Sequence, residues 1–126
     1  MRARVENLIE KNGATYATLL SNMGITFAKW IGDIPSIGAV CDVEIDIPNA
    51  LHWNVDVFQS ACNSPKIESV GTQIELVGQL IGFESGAAVV QLGSDVILVE
   101  ANELPLAPLN WIMIRAREIA VYPVQI

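Results

Sequence analysis

The chain has 126 residues, a net charge of −7 and a pI near 4.5. That length suits one domain over residues 1–126, since disulfides or metals become near-obligatory staples only below roughly 40 residues. The charge repels phosphate backbones and anionic membranes, so it argues against nucleic-acid and membrane binding and favours a basic partner or a cation.

Charged residues make up 17% of the chain, against about 25% in an ordinary domain, while 52% are apolar. Either the core is large or apolar surface is covered by another subunit, so a homodimer is a candidate assembly. No stretch reaches the ~18 apolar residues of a membrane helix. The opening MRARVENLIEKNG lacks a run of signal-peptide length, and a cytoplasmic location is the expectation.

Taken in order, Arg2 to Lys11 admits helix or strand. Asn12-Gly13 decides for strand, because an Asn-Gly pair supplies the two positive φ angles of a tight hairpin turn. A second strand follows over Ala14–Leu20, a turn at Asn22-Met23-Gly24, and a third strand over Ile25–Ile31, rich in β-branched and aromatic residues. Gly32 to Gly38 reads as a loop.

Ala39 to Ile47 is the most regular stretch. Cys41, Val43, Ile45 and Ile47 alternate with Asp42, Glu44 and Asp46, the pattern of a half-buried strand with an apolar inner face and a carboxylate outer face. His52–Gln59 resumes the alternation after Pro48. The two segments read as a hairpin, with Ile47 opposite Trp53, Ile45 opposite Val55 and Val43 opposite Val57. That register sets Glu44 against Asp56 and Asp46 against Asn54.

Ser60–Ser69 reads as a loop. Val70–Phe83 is a long strand bent at Gly78 and Gly82, as small barrels require at corners. Glu84-Ser85-Gly86 turns the chain, and Ala87–Leu92 and Asp95–Glu100 form a hairpin across Gly93-Ser94. The proline-punctuated 104–109 connects to a last strand over Trp111–Tyr122, kinked near Arg117. Nine or ten short strands with little helix predict an all-β fold, a small Greek-key barrel or sandwich, with an OB-like barrel among the architectures allowed.

The sharpest candidate site is the acidic face of Asp42, Glu44, Asp46 and Asp56, with His52 facing the same way. Three readings compete: a solvated face, a docking surface for a basic partner, and a divalent-metal site built from oxygen ligands. Carboxylates two residues apart on a strand stand about 6.6 Å apart, too far to share one ion without a third ligand. Arg115 and Arg117 are internal candidates to neutralise the face. Trp30, beside Lys29 before a loop, is a candidate contact residue at the barrel rim, whereas Trp53 reads as core. Trp111 heads a face that runs through Met113 to Arg115 and passes from buried to exposed.

His52 could act as a general base only with a nucleophile or substrate pocket in reach, and no sequence motif supplies one. Cys41 and Cys62 are too far apart for a zinc or CxxC motif, and Cys41 reads as a small inward hydrophobe. The expectation is a non-catalytic acidic protein-binding module without cofactors, in concrete form an inhibitor or immunity-type protein masking a basic partner. The alternative is a barrel that binds a small ligand or a divalent metal.

Overall fold

The computed structural model describes residues 1–101 and 110–124, and the 104–109 connector lies outside the described residues. Eleven strands and no helix appear among the described residues: β1 (Arg2–Lys11), β2 (Ala14–Ser21), β3 (Gly24–Trp30), β4 (Val40–Asp46), β5 (Val57–Gln59), β6 (Lys66–Val70), β7 (Gln73–Glu84), β8 (Ala87–Leu92), β9 (Asp95–Glu100), β10 (Trp111–Ala116) and β11 (Ala120–Pro123).

The first hairpin forms as its turn residues dictate. Asn12 and Gly13 have φ of 53° and 78°, and Lys11 pairs with Ala14, Glu10 with Thr15 and Ile9 with Tyr16. β3 continues the meander, with Ser21 paired to Gly24. β4 returns to β1, pairing Arg2 with Asp42 and Arg4 with Val40. The chain then leaves for a second sheet and comes back as β11, which inserts between β3 (parallel) and β4 (antiparallel). The closed order β1-β2-β3-β11-β4 is a five-stranded Greek-key barrel of OB-like connectivity.

The second sheet has the order β5-β10-β7-β8-β9, with β6 also on β7. β6 takes Gln73–Val77 of the long strand and β8 takes Gln79–Glu84, so the hand-over falls at Gly78. A side chain there would meet the Gln91 carbonyl oxygen at 2.7 Å and Val90 Cγ1 at 2.8 Å, which is why the position is glycine. The ladder slips between Leu80 and Gly82, a bulge that leaves Ile81 outside.

One cluster of buried side chains draws on both sheets. Ala3, Val5, Leu19 and Val43 of the barrel belong to it, and so do Ile67, Leu80, Leu92 and Ile114 of the second sheet. β6 ties the two together, its Ile67 N–H donating to the Met23 carbonyl at 3.0 Å and its Ser69 hydroxyl accepting the Phe27 N–H at 2.9 Å.

Several expectations change. The hairpin between 41–47 and 52–59 does not form, because the partners of β4 are β1 and β11. Residues 52–56 fold into a turn instead. The His52 carbonyl accepts N–H groups from Val55, Asp56 and Val57 at 3.2, 2.9 and 3.2 Å. Asp56 Oδ2 accepts the His52 N–H at 3.1 Å, and Asn54 takes a left-handed φ of 61°. Short polar side chains bonding to nearby backbone outcompete the ladder here.

The expected loop over 60–69 contains β6, and the expected last strand is two strands in different sheets, which raises the count to eleven. Both cysteines are free thiols, Cys41 half-buried and Cys62 exposed.

Candidate functional site

The alternation of β4 holds as read. Val43 and Ile47 are buried, Cys41 and Ile45 pack at the core margin, and Asp42 and Glu44 are exposed with Asp46 half-buried. The neighbours of the acidic face differ from the expected ones. Asp42 pairs across the ladder with Arg2, whose guanidinium is 3.8 Å from its carboxylate. Glu44 lies opposite Tyr122 and Asp46 opposite Ala120. Neither Glu44 nor Asp46 has an ion pair among the described residues.

The remaining expected site residues lie elsewhere. Asp56 and His52 belong to the 52–56 turn, where the Asp56 carboxylate caps the His52 N–H. Asp56 faces a small groove of about 250 Å³ that also holds Arg115 and Arg117. Trp30 is not a rim contact: it is 5% exposed, packed in the core, and its indole N–H donates to the Asp33 carbonyl at 2.8 Å. Its inner-face neighbours Thr26 and Ala28 are buried with it. Trp53 is half-buried and packs against the core, in line with its sequence reading.

A groove of about 540 Å³ runs between β4 and β9. Glu44, Asp46 and Tyr122 line one side, and Asp95, Val96 and Leu98 line the other. β9 ends the second sheet, hydrogen-bonded to β8 on one side only along Asp95–Val99. Its outward residues Val96 and Leu98 are 53% and 58% exposed, and Tyr122 is 38% exposed. Exposed apolar side chains on an edge strand are a site for association unless something covers them.

The floor of the groove is pinned by charge. The buried N-terminal ammonium of Met1 donates to the Val43 carbonyl at 2.7 Å and contacts Asp95 Oδ2 at 2.5 Å. An ammonium out of water is tolerated only when paired and hydrogen-bonded, and this one joins β4 of the barrel to β9 of the second sheet.

The sequence reading missed β9 as part of the site. Its signal was present: Val96, Ile97, Leu98 and Val99 make the strand apolar on both faces, the pattern of a strand covered on both sides. Only the Ile97 and Val99 face is covered by the chain itself.

On the second sheet four charges form one network across β6, β7 and β10. Lys66 sits 2.9 Å from Glu68 and 3.4 Å from Glu75, and Arg115 Nε is 3.5 Å from Glu75 with its guanidinium 5.0 Å from the Phe58 ring centroid. The hydrogen bond to Glu68, ahead of the pull of Glu75, raises the Lys66 pKa. Arg115 is therefore engaged away from β4. No group of three or more His, Cys, Asp or Glu able to hold a metal ion occurs among the described residues. No helix among the described residues is long and apolar enough to cross a membrane.

Comparison with family models, with curated proteins and with solved structures finds no match to this chain.

Proposed function

We propose that this chain is a non-catalytic protein-binding module whose docking surface is the groove between β4 and β9. One observation carries the reading. Exposed apolar side chains on an edge strand, Val96 and Leu98, face two carboxylates, Glu44 and Asp46, that no cation among the described residues neutralises. An apolar strip beside unneutralised carboxylates suits a partner that brings both an apolar anchor and basic side chains. The anchor supplies buried area, and the charges steer encounter and select the partner. A second copy of this chain fits less well, because each copy would bring its own −7 to the contact. The concrete form of the role is an inhibitor or immunity-type protein that covers the basic surface of another protein.

The test is capture of binding proteins by the immobilised chain at low and at high salt, with wild type, the Glu44→Lys/Asp46→Lys double variant and Leu98→Asp side by side. A basic protein retained by wild type at low salt, released at high salt and lost in both variants supports the reading. Retention that ignores salt and both variants overturns it.

A further inference from the structure

The chain has seven lysines and arginines, and their placement is uneven. Arg2, Arg4, Lys66 and Arg115 each lie within 4 Å of a carboxylate. The three without such a partner among the described residues, Lys11, Lys29 and Arg117, all line one groove of about 350 Å³. This groove shares no residue with the one between β4 and β9.

Its wall is aromatic. Tyr16 of β2 and Phe27 of β3 are half-buried on the outer face of the barrel, with rings parallel to within 3° and centroids 5.3 Å apart. The register explains the grouping, since Tyr16 pairs with Lys29 and Thr18 with Phe27, which makes the two rings diagonal neighbours beside the lysine. The end of β6 and its turn to β7 also line the groove, with Ser69, Gly71 and Thr72, held against β3 by the bond from the Phe27 N–H to the Ser69 hydroxyl. Glu118 is the one carboxylate in the lining, and it accepts the Tyr16 hydroxyl at 3.3 Å.

We infer that this groove binds a nucleotide, with the base stacked on the Tyr16–Phe27 pair and the phosphates held by Lys11, Lys29 and Arg117. Three cations against one carboxylate make a local anion site on an acidic protein. Stacking on an aromatic pair needs a flat ring, and the two requirements together describe a phosphate-bearing heterocycle rather than a bare anion. The volume lies at the lower end of the range for small-ligand clefts, which suits one nucleotide. A longer strand would carry further phosphates beyond the three cations into the field of a chain with net charge −7. The occupant is therefore a free nucleotide and not a nucleic acid.

Calorimetric titration of the full chain with ADP and UDP, alongside inorganic pyrophosphate and a ten-residue oligothymidine, tests this. The expected result is binding of at least one of the two nucleotides, weakened about tenfold or more in Lys29→Gln/Arg117→Gln. Tyr16→Leu should weaken nucleotide binding about fivefold or more, as loss of a base–aromatic stack does, and weaken pyrophosphate binding less, through the Glu118 carboxylate it releases. Circular dichroism of each variant reports folding, and the exposed Arg117→Gln alone keeps the test valid should Tyr16→Leu disturb the barrel. No nucleotide binding at millimolar concentration overturns the inference, as does binding that the cation variants leave unchanged. Oligothymidine bound more than tenfold tighter than either nucleotide overturns it in favour of a single strand.

Discussion

Glu44 stands directly across the ladder from Tyr122, one residue on β4 and the other on β11. The carboxylate therefore faces a neutral side chain across the ladder instead of a second acid, and its like-charge neighbours are only Asp42 and Asp46 along its own strand. Glu44→Lys should consequently leave the fold intact. An exposed position without a structural partner usually changes stability by less than about 0.5 kcal/mol, a shift in Tm below about 3 °C. Thermal unfolding followed by circular dichroism measures this, and a loss several times larger would mean that Glu44 has a structural role.

Asp95 behaves differently although it borders the same groove. It receives the Met1 ammonium, whose other bond is to the Val43 carbonyl. Asp95→Asn keeps the size of the side chain and an acceptor oxygen but removes the charge, leaving a buried cation without its counter-charge. Exchanging the charged acceptor for a neutral one costs about 1 kcal/mol. Urea unfolding of the two proteins should differ by that amount, and equal midpoints would show that the ammonium is not held by Asp95.

Two glycines on β7 give a matched pair. An added Cβ at Gly78 meets the Gln91 carbonyl at 2.7 Å, whereas at Gly82 nothing lies within 4 Å. Gly78→Ala should destabilise by about 1–3 kcal/mol, the range for overpacking a tight interior. Gly82→Ala should stay within about 0.5 kcal/mol of wild type. Equal losses at the two positions would show that close approach at the hand-over from β6 to β8 is not what selects glycine.

Tyr16 carries a pH signature. Loss of water around its ring, then the charge of Glu118 and the hydrogen bond to it, raise the phenol above its ordinary value of 10. A raised folded pKa means the unfolded chain ionises first, so this contribution to stability is complete below pH 10 and is lost as pH rises through the folded value. In a Tyr122→Phe background, phenolate absorbance then reports Tyr16 alone. The midpoint should lie above 10 and move back down, only in part, in Glu118→Gln. A midpoint that Glu118→Gln leaves in place would remove Glu118 from the cause.

What was legible in the sequence is what local chemistry decides. Asn12-Gly13, Ser85-Gly86 and Gly93 take positive φ where the turns were read. The alternation of Cys41 to Ile47 reports its buried face faithfully. What was not legible is who sits next to whom. His52–Gln59 alternates as a strand does, yet Asn54 and Asp56 can bond to adjacent backbone, and the local turn wins. Arg117-Glu118-Ile119 carries neither glycine nor proline, so the crossing from the second sheet into the barrel reads in the sequence only as a kink near Arg117 and not as a change of sheet. Trp30 lies on a strand with apolar residues on both faces, Ile25 and Phe27 on one and Ala28 on the other, so periodicity could not assign its side. The groove between β4 and β9 depends on the return of β11 and on two sheets meeting, and no short stretch encodes either.

The central claim is that the groove between β4 and β9 docks a basic protein. The most direct measurement places a photo-crosslinking amino acid at Leu98 in one protein and at Val55 in another. Both side chains are well exposed, but Val55 lies in the 52–56 turn, outside the groove. Irradiation in the presence of the captured partner at low salt should give a covalent adduct from position 98 and none from position 55. Adding Glu44→Lys should abolish the adduct at 98. Adducts of equal yield from both positions, or an adduct at 98 that persists with Glu44→Lys, would contradict the claim.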